Sequence, residues 1–306
     1  MVRKRRQSGR DLSGVFLLDK PSGITSNAAL QRVKRLFYAQ KAGHTGSLDP
    51  LASGLLPICF GEATKFSGFL LESDKEYETV VKLGVKTNSG DAEGEIIEER
   101  AVGNYSLADI ESVLKDFRGE IQQVPSMFSA IKQNGQRLYK LAHKGIEVER
   151  EPRTIQIYEL TVKSYQSGLL YLKVVCSKGT YIRTLVENIG DDLGCGAHVL
   201  NLCRNQVGAF SLKQATSLED LESMKDSGGS LDSLLLPMES ALVDWPDIRL
   251  SEHSAFFLRQ GQPVVVPHAP TEGWVRLYQG AQDFIGVGKI LDDGRVAPKR
   301  LVSLVS

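Results

Sequence analysis

The sequence has 306 residues, of which 42% are hydrophobic and 24% charged, which is typical of a globular protein with one large domain and a small one. Its longest apolar runs reach about six residues, which excludes a membrane-spanning helix. The 37 basic and 37 acidic side chains cancel, the four cysteines contain no C-x-x-C pair, and the five histidines show no i,i+4 pair. We therefore predict a cytoplasmic protein with reduced thiols and without a metal site.

The charges are distributed unevenly along the chain. Residues 1–48 carry ten basic and two acidic side chains, and residues 131–183 carry ten and four. Residues 72–120 are acidic, with thirteen acidic and six basic side chains. Residues 216–252 are also acidic, with nine acidic and two basic side chains. Such segregation can build a positive face for a polyanion. The alternative is that these charges only solvate unrelated surfaces.

The N-terminal part predicts a tail, a strand and a helix in succession. Residues 1–11 are expected to be a flexible basic tail, and residues 15–18 to be a short buried strand. Ser26 is expected to cap a helix over residues 27–38. The apolar face of this helix is formed by Leu30, Val33 and Phe37.

The most unusual stretch is GHTGSLDPLASGLLPICFGEATKF, at residues 43–66. It places His44, Asp49 and Pro50, among several glycines, directly before an apolar run at residues 55–60. Glycine allows close backbone approach, and proline fixes the chain after the carboxylate. A carboxylate on such a rigid turn is well placed for catalysis. The bare H-x-G-x-x-D pattern by itself favours an ordinary Asp-Pro turn and a structural histidine.

The next segment predicts a strand and a helix. Residues 76–84 alternate β-branched and polar residues, which favours a strand that begins near Tyr77, an aromatic residue typical of a core. Residues 91–100 are expected to form an acidic loop with a short strand. Ser106 is expected to cap a helix that ends at Gly119. The apolar stripe of that helix is formed by Leu107, Ile110, Leu114 and Phe117.

Residues 121–153 are rich in Gln, Lys, Arg and Gly, and their apolar residues follow no clear period. This composition favours a mobile cationic flap, although a surface loop with incidental lysines would have the same composition. Residues 154–164 and 169–176 predict a β-hairpin. The segment SKGTYIRTL then opens a helix that runs to about residue 193, on which Arg183 by itself indicates an exposed cation.

The C-terminal part changes character near residue 249. Before this point, residues 194–210 form a Gly-rich apolar segment and residues 216–225 an acidic helix. After it, several short strands separated by turns indicate a small β domain. These strands are predicted at residues 261–266, 274–278, 284–291 and 295–302.

Together these motifs resemble the TruB family, the bacterial tRNA pseudouridine-55 synthases. The resemblance rests on LDKP-SG-T-S at the N terminus, on residues 43–66, on PSM-F-SA-K and R-LY within residues 121–153, and on SKGTYIRTL. A further family signature is usually centred on a Leu-Arg-Arg triplet, whereas this chain has Leu202, Cys203 and Arg204. The C-terminal residues are similar to a PUA-like RNA-binding domain.

The resemblance implies an α+β pseudouridine synthase fold, with a mixed, mainly antiparallel sheet flanked by helices. It places the catalytic domain at residues 12–249, an RNA-gripping insertion at about 121–153, and the PUA-like domain at 250–306. It makes Asp49 the catalytic residue and Arg183 its ion-pair partner, and we expect the guanidinium to hold the pKa of this carboxyl below its ordinary value. The resemblance also implies that His44 fills the stack vacated by the flipped base. It implies that the base pocket is walled by Tyr77, Tyr181 and Leu202, and that the site is supported by Lys20, Pro21 and Arg204.

The implied activity is isomerisation of uridine to pseudouridine at position 55 in the T-loop of tRNA. Uracil leaves C1′, turns, and rejoins through C5, so no redox or energy cofactor is needed, and the chain has no phosphate-loop motif. Asp49 either attacks C1′ as a nucleophile or acts as a base at C2′. The stacked target base must first be flipped out. We expect a monomer that binds the T-arm of tRNA without a guide RNA and without a membrane.

Three alternatives have distinguishable features. A guide-RNA-dependent synthase should lack the cationic insertion at residues 121–153. The large-subunit-rRNA type usually has Arg before Leu-Asp, whereas this chain has Ser47. An RNA-binding or RNA-folding protein with a relic active site would not need Asp49, Tyr77 and Arg183 intact.

Overall fold

The computed structural model describes residues 8–303 except residues 130, 134 and 143, so most of the predicted tail at residues 1–11 lies outside the described residues. The helices are α1 (Ser26–Leu36), α2 (Ser67–Glu72), α3 (Leu107–Leu114), α4 (Leu138–Ala142), α5 (Ile182–Asp192), α6 (Leu218–Asp226) and α7 (Glu252–Arg259). The strands are β1 (Gly14–Lys20), β2 (Ala42–His44), β3 (Ser53–Phe60), β4 (Lys75–Leu83), β5 (Val85–Thr87), β6 (Ile96–Glu99), β7 (Gly119–Gln123), β8 (Lys132–Gln133), β9 (Gln136–Arg137), β10 (Arg153–Gln166), β11 (Leu169–Cys176), β12 (Ala197–Val207), β13 (Phe210–Ser211), β14 (Thr216–Ser217), β15 (Asp247–Leu250), β16 (Trp274–Gln279), β17 (Asp283–Ile290) and β18 (Val296–Leu301). Every helix within the described part of the chain is too short or too polar to cross a bilayer.

A ten-stranded sheet organises the larger part of the molecule. Its order is β14-β1-β3-β12-β4-β11-β10-β7, with β2 beside β3 and β13 beside β12. Two pairs, β1–β14 and β3–β12, are parallel, and the others are antiparallel. The predicted mixed, mainly antiparallel α+β fold is confirmed.

Helices cover the sheet because both sides of its strands carry apolar residues. α1 and α6 pack over β1 and β3, while α3 and α5 pack over β4 and β10 to β12. In α3, Ile110 and Leu114 are fully buried, but Leu107 is 59% exposed. Leu107 was wrongly placed in the apolar stripe because it is the first helical residue, where the chain has not yet turned toward the core.

The N-terminal cap of α1 also differs from the prediction by one residue. Thr25 has the extended conformation that a cap requires, and its hydroxyl accepts a hydrogen bond from the backbone N–H of Ala28. Ser26 is the first helical residue. Its buried hydroxyl accepts from the N–H of Leu48 at 2.7 Å and donates to the carbonyl of the same residue at 2.9 Å. The residue predicted as a cap therefore fixes the loop that leads to Asp49.

A segment between β7 and β10 contains β8, β9 and α4. Because β7 ends at Gln123 and β10 begins at Arg153, and these two residues pair across the sheet, the inserted segment covers residues 124–152. Residues 121–123 and 153, which the prediction included in the insertion, belong to β7 and β10 of the main sheet.

A second sheet, ordered β15-β16-β17-β18, forms the C-terminal unit. Its first strand, Asp247–Leu250, straddles the predicted boundary at residues 249 and 250. Sequence reasoning missed α7, although Ser251 caps it and Ala255 and Leu258 share its buried side. The predicted strand at residues 261–266 is reduced to a single bridge between Val264 and Val296.

An aromatic cluster joins the two units. Trp245 stacks on Trp274 with ring centroids 5.2 Å apart, and Phe69 contacts both rings edge-on at 4.7 and 5.0 Å. Phe66, which follows β3 by a short turn, packs edge-on against Phe284 of β17. The C-terminal sheet is therefore packed against the region that directly follows the strand after Asp49.

Candidate active site

Asp49 lies on a tight turn between β2 and β3. The turn is held by two backbone hydrogen bonds at and after the carboxylate: the N–H of Gly23 donates to the carbonyl of Pro50 at 2.8 Å, and the N–H of Ala52 donates to that of Asp49 at 3.1 Å. The contact between Ser26 and Leu48 fixes the preceding residue. The main chain that carries Asp49 is thus fixed before any ligand is present.

Lys20 supports this turn from β1. Its side chain is fully buried, and its Nζ donates to the carbonyls of Pro21 and Ile24 at 2.8 Å each and to that of Pro50 at 3.4 Å. Burial lowers the pKa of Lys20 to about 8, and the negative charge of Asp49 opposes this shift. Pro21 is exposed, and its contribution here is the carbonyl that Lys20 binds.

Arg204 supports the same turn from β12. It is 1% exposed, its Nε donates to the carbonyl of Leu55 at 2.8 Å, and its Nη2 donates to that of Gly46 at 3.1 Å. Gly54 passes so close that a Cβ there would lie 2.4 Å from the carbonyl oxygen of Arg204. With a φ of +98°, position 54 also has a conformation that favours glycine.

Arg183, in the first turn of α5, is the ion-pair partner of Asp49. Its Nε lies 2.9 Å from Asp49 Oδ2, its Nη1 lies 3.4 Å from Asp91 Oδ2, and its Nη2 donates to the carbonyl of Phe128 at 2.8 Å. Nη1 also donates to the carbonyl of Ser89 at 2.9 Å. The sequence alone predicts that Arg183 is an exposed helix cation, and this prediction is wrong. Only 5% of its side chain is exposed, against 38% for the side chain of Asp49.

The charge state of Asp49 results from opposing effects. Burial raises the pKa of Asp49 above its ordinary value, Arg183 lowers it, and the nearby Asp91 raises it. The net direction is upward, so the predicted depression of this pKa is wrong. Although part of the carboxylate reaches solvent, the cost of desolvation and a second carboxylate outweigh the guanidinium.

Asp91 is the functional candidate that sequence reasoning missed. Its carboxylate is 5% exposed, accepts a hydrogen bond from the hydroxyl of Ser89 at 2.7 Å, and accepts another from the N–H of Glu93 at 3.1 Å. Residue 91 stands at the start of an acidic stretch, which suggested a solvated loop. The only signal was its place between Gly90 and Gly94, which is typical of a tight turn.

Family profiles cover nearly the whole chain. The profile described as TruB family pseudouridylate synthase, N-terminal domain, matches residues 34–182. Two C-terminal profiles follow, tRNA pseudouridylate synthase B C-terminal domain at residues 183–243 and pseudouridine synthase II TruB, C-terminal, at residues 246–302. The chain belongs to the TruB family of pseudouridine synthases.

Curated relatives and solved structures agree with this family. The tRNA pseudouridine synthase B of Nitrosococcus oceani is 54% identical over 303 residues, which cover 99% of this chain and 98% of the relative. That of Pseudomonas fluorescens is 56% identical over 295 residues and covers 96% of each chain. A Cbf5-Nop10-Gar1 complex has a chain with a TM-score of 0.74 and 27% identity, covering 94% of this chain and 84% of its own.

Two of the three residues predicted to wall a base pocket, Tyr77 and Leu202, share one face of the sheet. Arg204 of β12 pairs with Tyr77 of β4, and Leu202 pairs with Thr79, two positions along. Because alternate residues of a strand face the same side, Tyr77 and Leu202 are diagonal neighbours on the face that carries Arg204. Both are buried, and burial raises the pKa of Tyr77, so its hydroxyl keeps its proton at neutral pH. Tyr181 is half-buried and directly precedes α5.

His44 lies on β2, opposite Ile58, at the entry to the catalytic turn. Burial and the charge of Arg204 lower its pKa, so the imidazole is neutral at pH 7. Within the described residues, its buried Nδ1 has no hydrogen-bond partner. His44 therefore lies beside the support formed by Arg204 rather than among the partners of Arg183.

Cys203 stands where the resemblance led us to expect an arginine. It is half-buried, and its thiol contacts Asn205 Oδ1 at 3.4 Å. Burial raises the pKa of this thiol, which therefore stays uncharged at neutral pH. The position thus provides no positive charge.

Among the residues that the structure describes, no group of three or more His, Cys, Asp or Glu side chains is placed to hold a metal ion.

Proposed function

We propose that this protein isomerises uridine to pseudouridine at position 55 in the T-loop of tRNA. The observation that carries the proposal is the Asp49–Arg183 pair, in which a buried guanidinium at 2.9 Å holds a carboxylate that remains 38% exposed. A partly exposed carboxylate with a buried counter-charge can reach a substrate without leaving its partner. The 54% identity to a protein named tRNA pseudouridine synthase B supports the choice of tRNA as substrate.

In the proposed reaction, Asp49 acts at the ribose of the target nucleotide. It either attacks C1′ or removes a proton from C2′, and in both routes the C1′–N1 bond breaks and a C1′–C5 bond forms. The proton on C5 is lost to solvent, and N1 gains one, so reactant and product have the same composition. Asp49 must be ionised in either route, and Arg183 favours this state against the effect of burial.

The flipped base is proposed to lie against Tyr77, with Leu202 and Tyr181 completing the pocket. A π face and apolar walls suit a base that has lost its stacking partners. The neutral His44 is proposed to occupy the stack that the base leaves, because an uncharged imidazole can stack between bases without the desolvation of a cation.

The inserted segment at residues 124–152 is proposed to hold the T-arm, with tRNA as the RNA partner and no guide RNA. Its exposed or half-exposed cations surround a cavity, and such cations neutralise backbone phosphates. The cavity in the insertion is lined by Lys132, Arg137, Lys140 and Lys144.

One chain supplies Asp49, Arg183 and both tyrosines, so we propose that a monomer suffices. Residues 250–306 are proposed to be a PUA-like RNA-binding domain.

The test is release of tritium from C5 of a labelled uridine at the target position of a T-arm stem-loop, with the purified protein as sole addition. We expect product with the wild type, none with Asp49→Asn, and full activity with Asp244→Asn, an exposed control. Binding of the stem-loop should survive in Asp49→Asn. If the wild type bound the stem-loop but released no tritium, the proposed enzymatic activity would be rejected. Release of tritium only after addition of a second RNA would indicate a guide-dependent synthase.

A further inference from the structure

The start of α5 lacks the usual side-chain cap. Tyr181 occupies the cap position in an extended conformation, but its own side chain makes no capping hydrogen bond. The N–H groups at the start of a helix have no partner within the helix. Because Arg183 is the second residue of α5, the position of this first turn decides where its guanidinium lies.

Gln123 supplies the missing support from a different strand. Its Oε1 accepts a hydrogen bond from the N–H of Tyr181 at 2.8 Å, and its Nε2 donates to the carbonyl of the same residue at 3.0 Å. The side chain is 2% exposed, so the two hydrogen bonds are shielded from water. A primary amide is the side chain that can satisfy both a backbone donor and a backbone acceptor in this way.

The place of Gln123 in the chain gives this contact a second consequence. Gln123 is the last residue of β7 and pairs with Arg153, so these two residues close the neck of the segment at 124–152. Phe128, five residues further along, accepts the hydrogen bond from Arg183 Nη2. The end of β7 and the inserted segment are therefore joined to the start of α5 at two points: Gln123 contacts Tyr181, and Phe128 contacts Arg183.

We propose that Gln123 is a positioning residue, which holds Tyr181 and the first turn of α5 so that Arg183 meets Asp49. This role rests on the proposed function, because it concerns the geometry of the same site. It does not require Gln123 to touch RNA. Tyr181 is one wall of the proposed base pocket, whereas contacts to backbone phosphates supply most of the affinity for RNA. Removal of Gln123 should therefore slow the chemical step far more than it weakens RNA binding.

Gln123→Met tests this role, since it keeps the length of the side chain and removes both hydrogen bonds. We expect kcat on the T-arm stem-loop to fall by about tenfold or more, because small misplacements at a reactive centre have effects of this size. The Kd for the stem-loop, measured in an Asp49→Asn background, should change by less than about twofold. Gln123→Glu, which retains the acceptor for the N–H of Tyr181, should show a smaller loss of kcat.

Gln122→Met is the matched control. Gln122 neighbours Gln123 on the same strand, is exposed, and donates to the hydroxyl of Thr154 at 2.8 Å. We expect wild-type kcat for this variant. A wild-type kcat in Gln123→Met, or a loss of RNA affinity that accounts for its lower kcat/KM, would overturn the proposal.

A crystal structure of Gln123→Met separates this inference from the proposed function. We expect Tyr181 to shift and the 2.9 Å contact between Arg183 Nε and Asp49 Oδ2 to lengthen. An unchanged contact would contradict the positioning role. If the wild type makes no pseudouridine, the proposed function fails, while this structure still decides whether Gln123 positions Arg183.

Discussion

The two sides of the turn that carries Asp49 use buried cations differently. On one side, Lys20 and Arg204 donate to main-chain carbonyls of the turn and its flanks. On the other side, Arg183 also donates to two carbonyls, those of Ser89 and Phe128. In addition, it lies within ion-pair distance of two carboxylates, those of Asp49 and Asp91. All three side chains are almost completely buried. Burial and charge are therefore alike on the two sides, and only the partners differ.

The difference indicates two separate roles. A cation bound to carbonyls satisfies polar groups of the backbone, so its removal should mainly lower the free energy of unfolding. A cation bound to carboxylates sets their pKa, so its removal should mainly lower the fraction of reactive anion. Substitutions on each side can test whether these roles are really separate.

Among substitutions of the three buried cations, Arg183→Met should have the largest effect on activity. Asp49 and Asp91 would face each other without the guanidinium, so the pKa of Asp49 should rise further above its ordinary value. We expect the rate of tritium release to fall by on the order of 10³-fold, as for loss of a preorganised charge partner. The acid side of the pH–rate profile should move to higher pH. Arg183→Lys, which restores the charge without the planar fork, should recover part of the rate. Near-wild-type rates in Arg183→Met would contradict the role of this pair.

Arg204→Met should instead act on stability. It leaves the carbonyls of Leu55 and Gly46 without a buried donor, which we expect to lower the free energy of unfolding by about 3 kcal/mol in urea denaturation. The matched control is Arg100→Met, because Arg100 is exposed and pairs with Glu98 on the surface. Its effect should stay below about 1 kcal/mol. If Arg204→Met unfolded no more easily than this control, the support role would be wrong.

The strands of the sheet were easier to predict from the sequence than the site. The pattern at residues 169–176 predicted the bounds of β11, Leu169–Cys176, and that at 76–84 predicted β4 within one residue, because alternation is a local property of the chain. The contact of Asp91 with Arg183 joins segments distant in sequence, and no local pattern indicates it. The direction of the Asp49 pKa shift depends on how much protein surrounds the carboxylate, which only the folded structure determines.

The family resemblance, rather than periodicity, directed attention to Arg183. Taken alone, the sequence indicated an exposed cation on α5, because charged residues in helices are usually solvated. Similarly, Lys20 precedes a proline turn, and its burial follows from carbonyls that the fold brings around it. Partners of buried cations are thus the part of the site that sequence alone predicts least well.

Asp91→Asn sharpens the comparison on the carboxylate side. Asparagine keeps an oxygen near Arg183 but removes a negative charge, so the pKa of Asp49 should fall and the acid side of the profile should move to lower pH. This shift is opposite in sign to that of Arg183→Met. We expect a loss of about tenfold in kcat from the weaker hold on Arg183. Glu95→Gln, an exposed change in the same loop, should leave both the rate and the profile unchanged. A shift to higher pH in Asp91→Asn would be inconsistent with the assigned charges.

The last prediction concerns Lys20 and the pH dependence of stability. Its pKa is about 8 in the folded protein, against an ordinary value of 10.5, because burial disfavours the cation. Between these two values the unfolded chain binds more protons, so the free energy of unfolding should rise with pH, by at most about 1.4 kcal/mol per pH unit for this one group. Lys75 is lowered to about 8 in the same way and should add a similar slope.

Lys20→Met separates the two contributions. The variant should be less stable than the wild type at pH 7.5, because the carbonyls of Pro21 and Ile24 lose their donor. From pH 7.5 to 9.5, its urea midpoint should rise less steeply than that of the wild type, since only Lys75 still contributes. Equal slopes in both proteins would mean that Lys20 keeps its ordinary pKa despite its burial. The negative charge of Asp49, which opposes the effect of burial on Lys20, would then offset that effect completely.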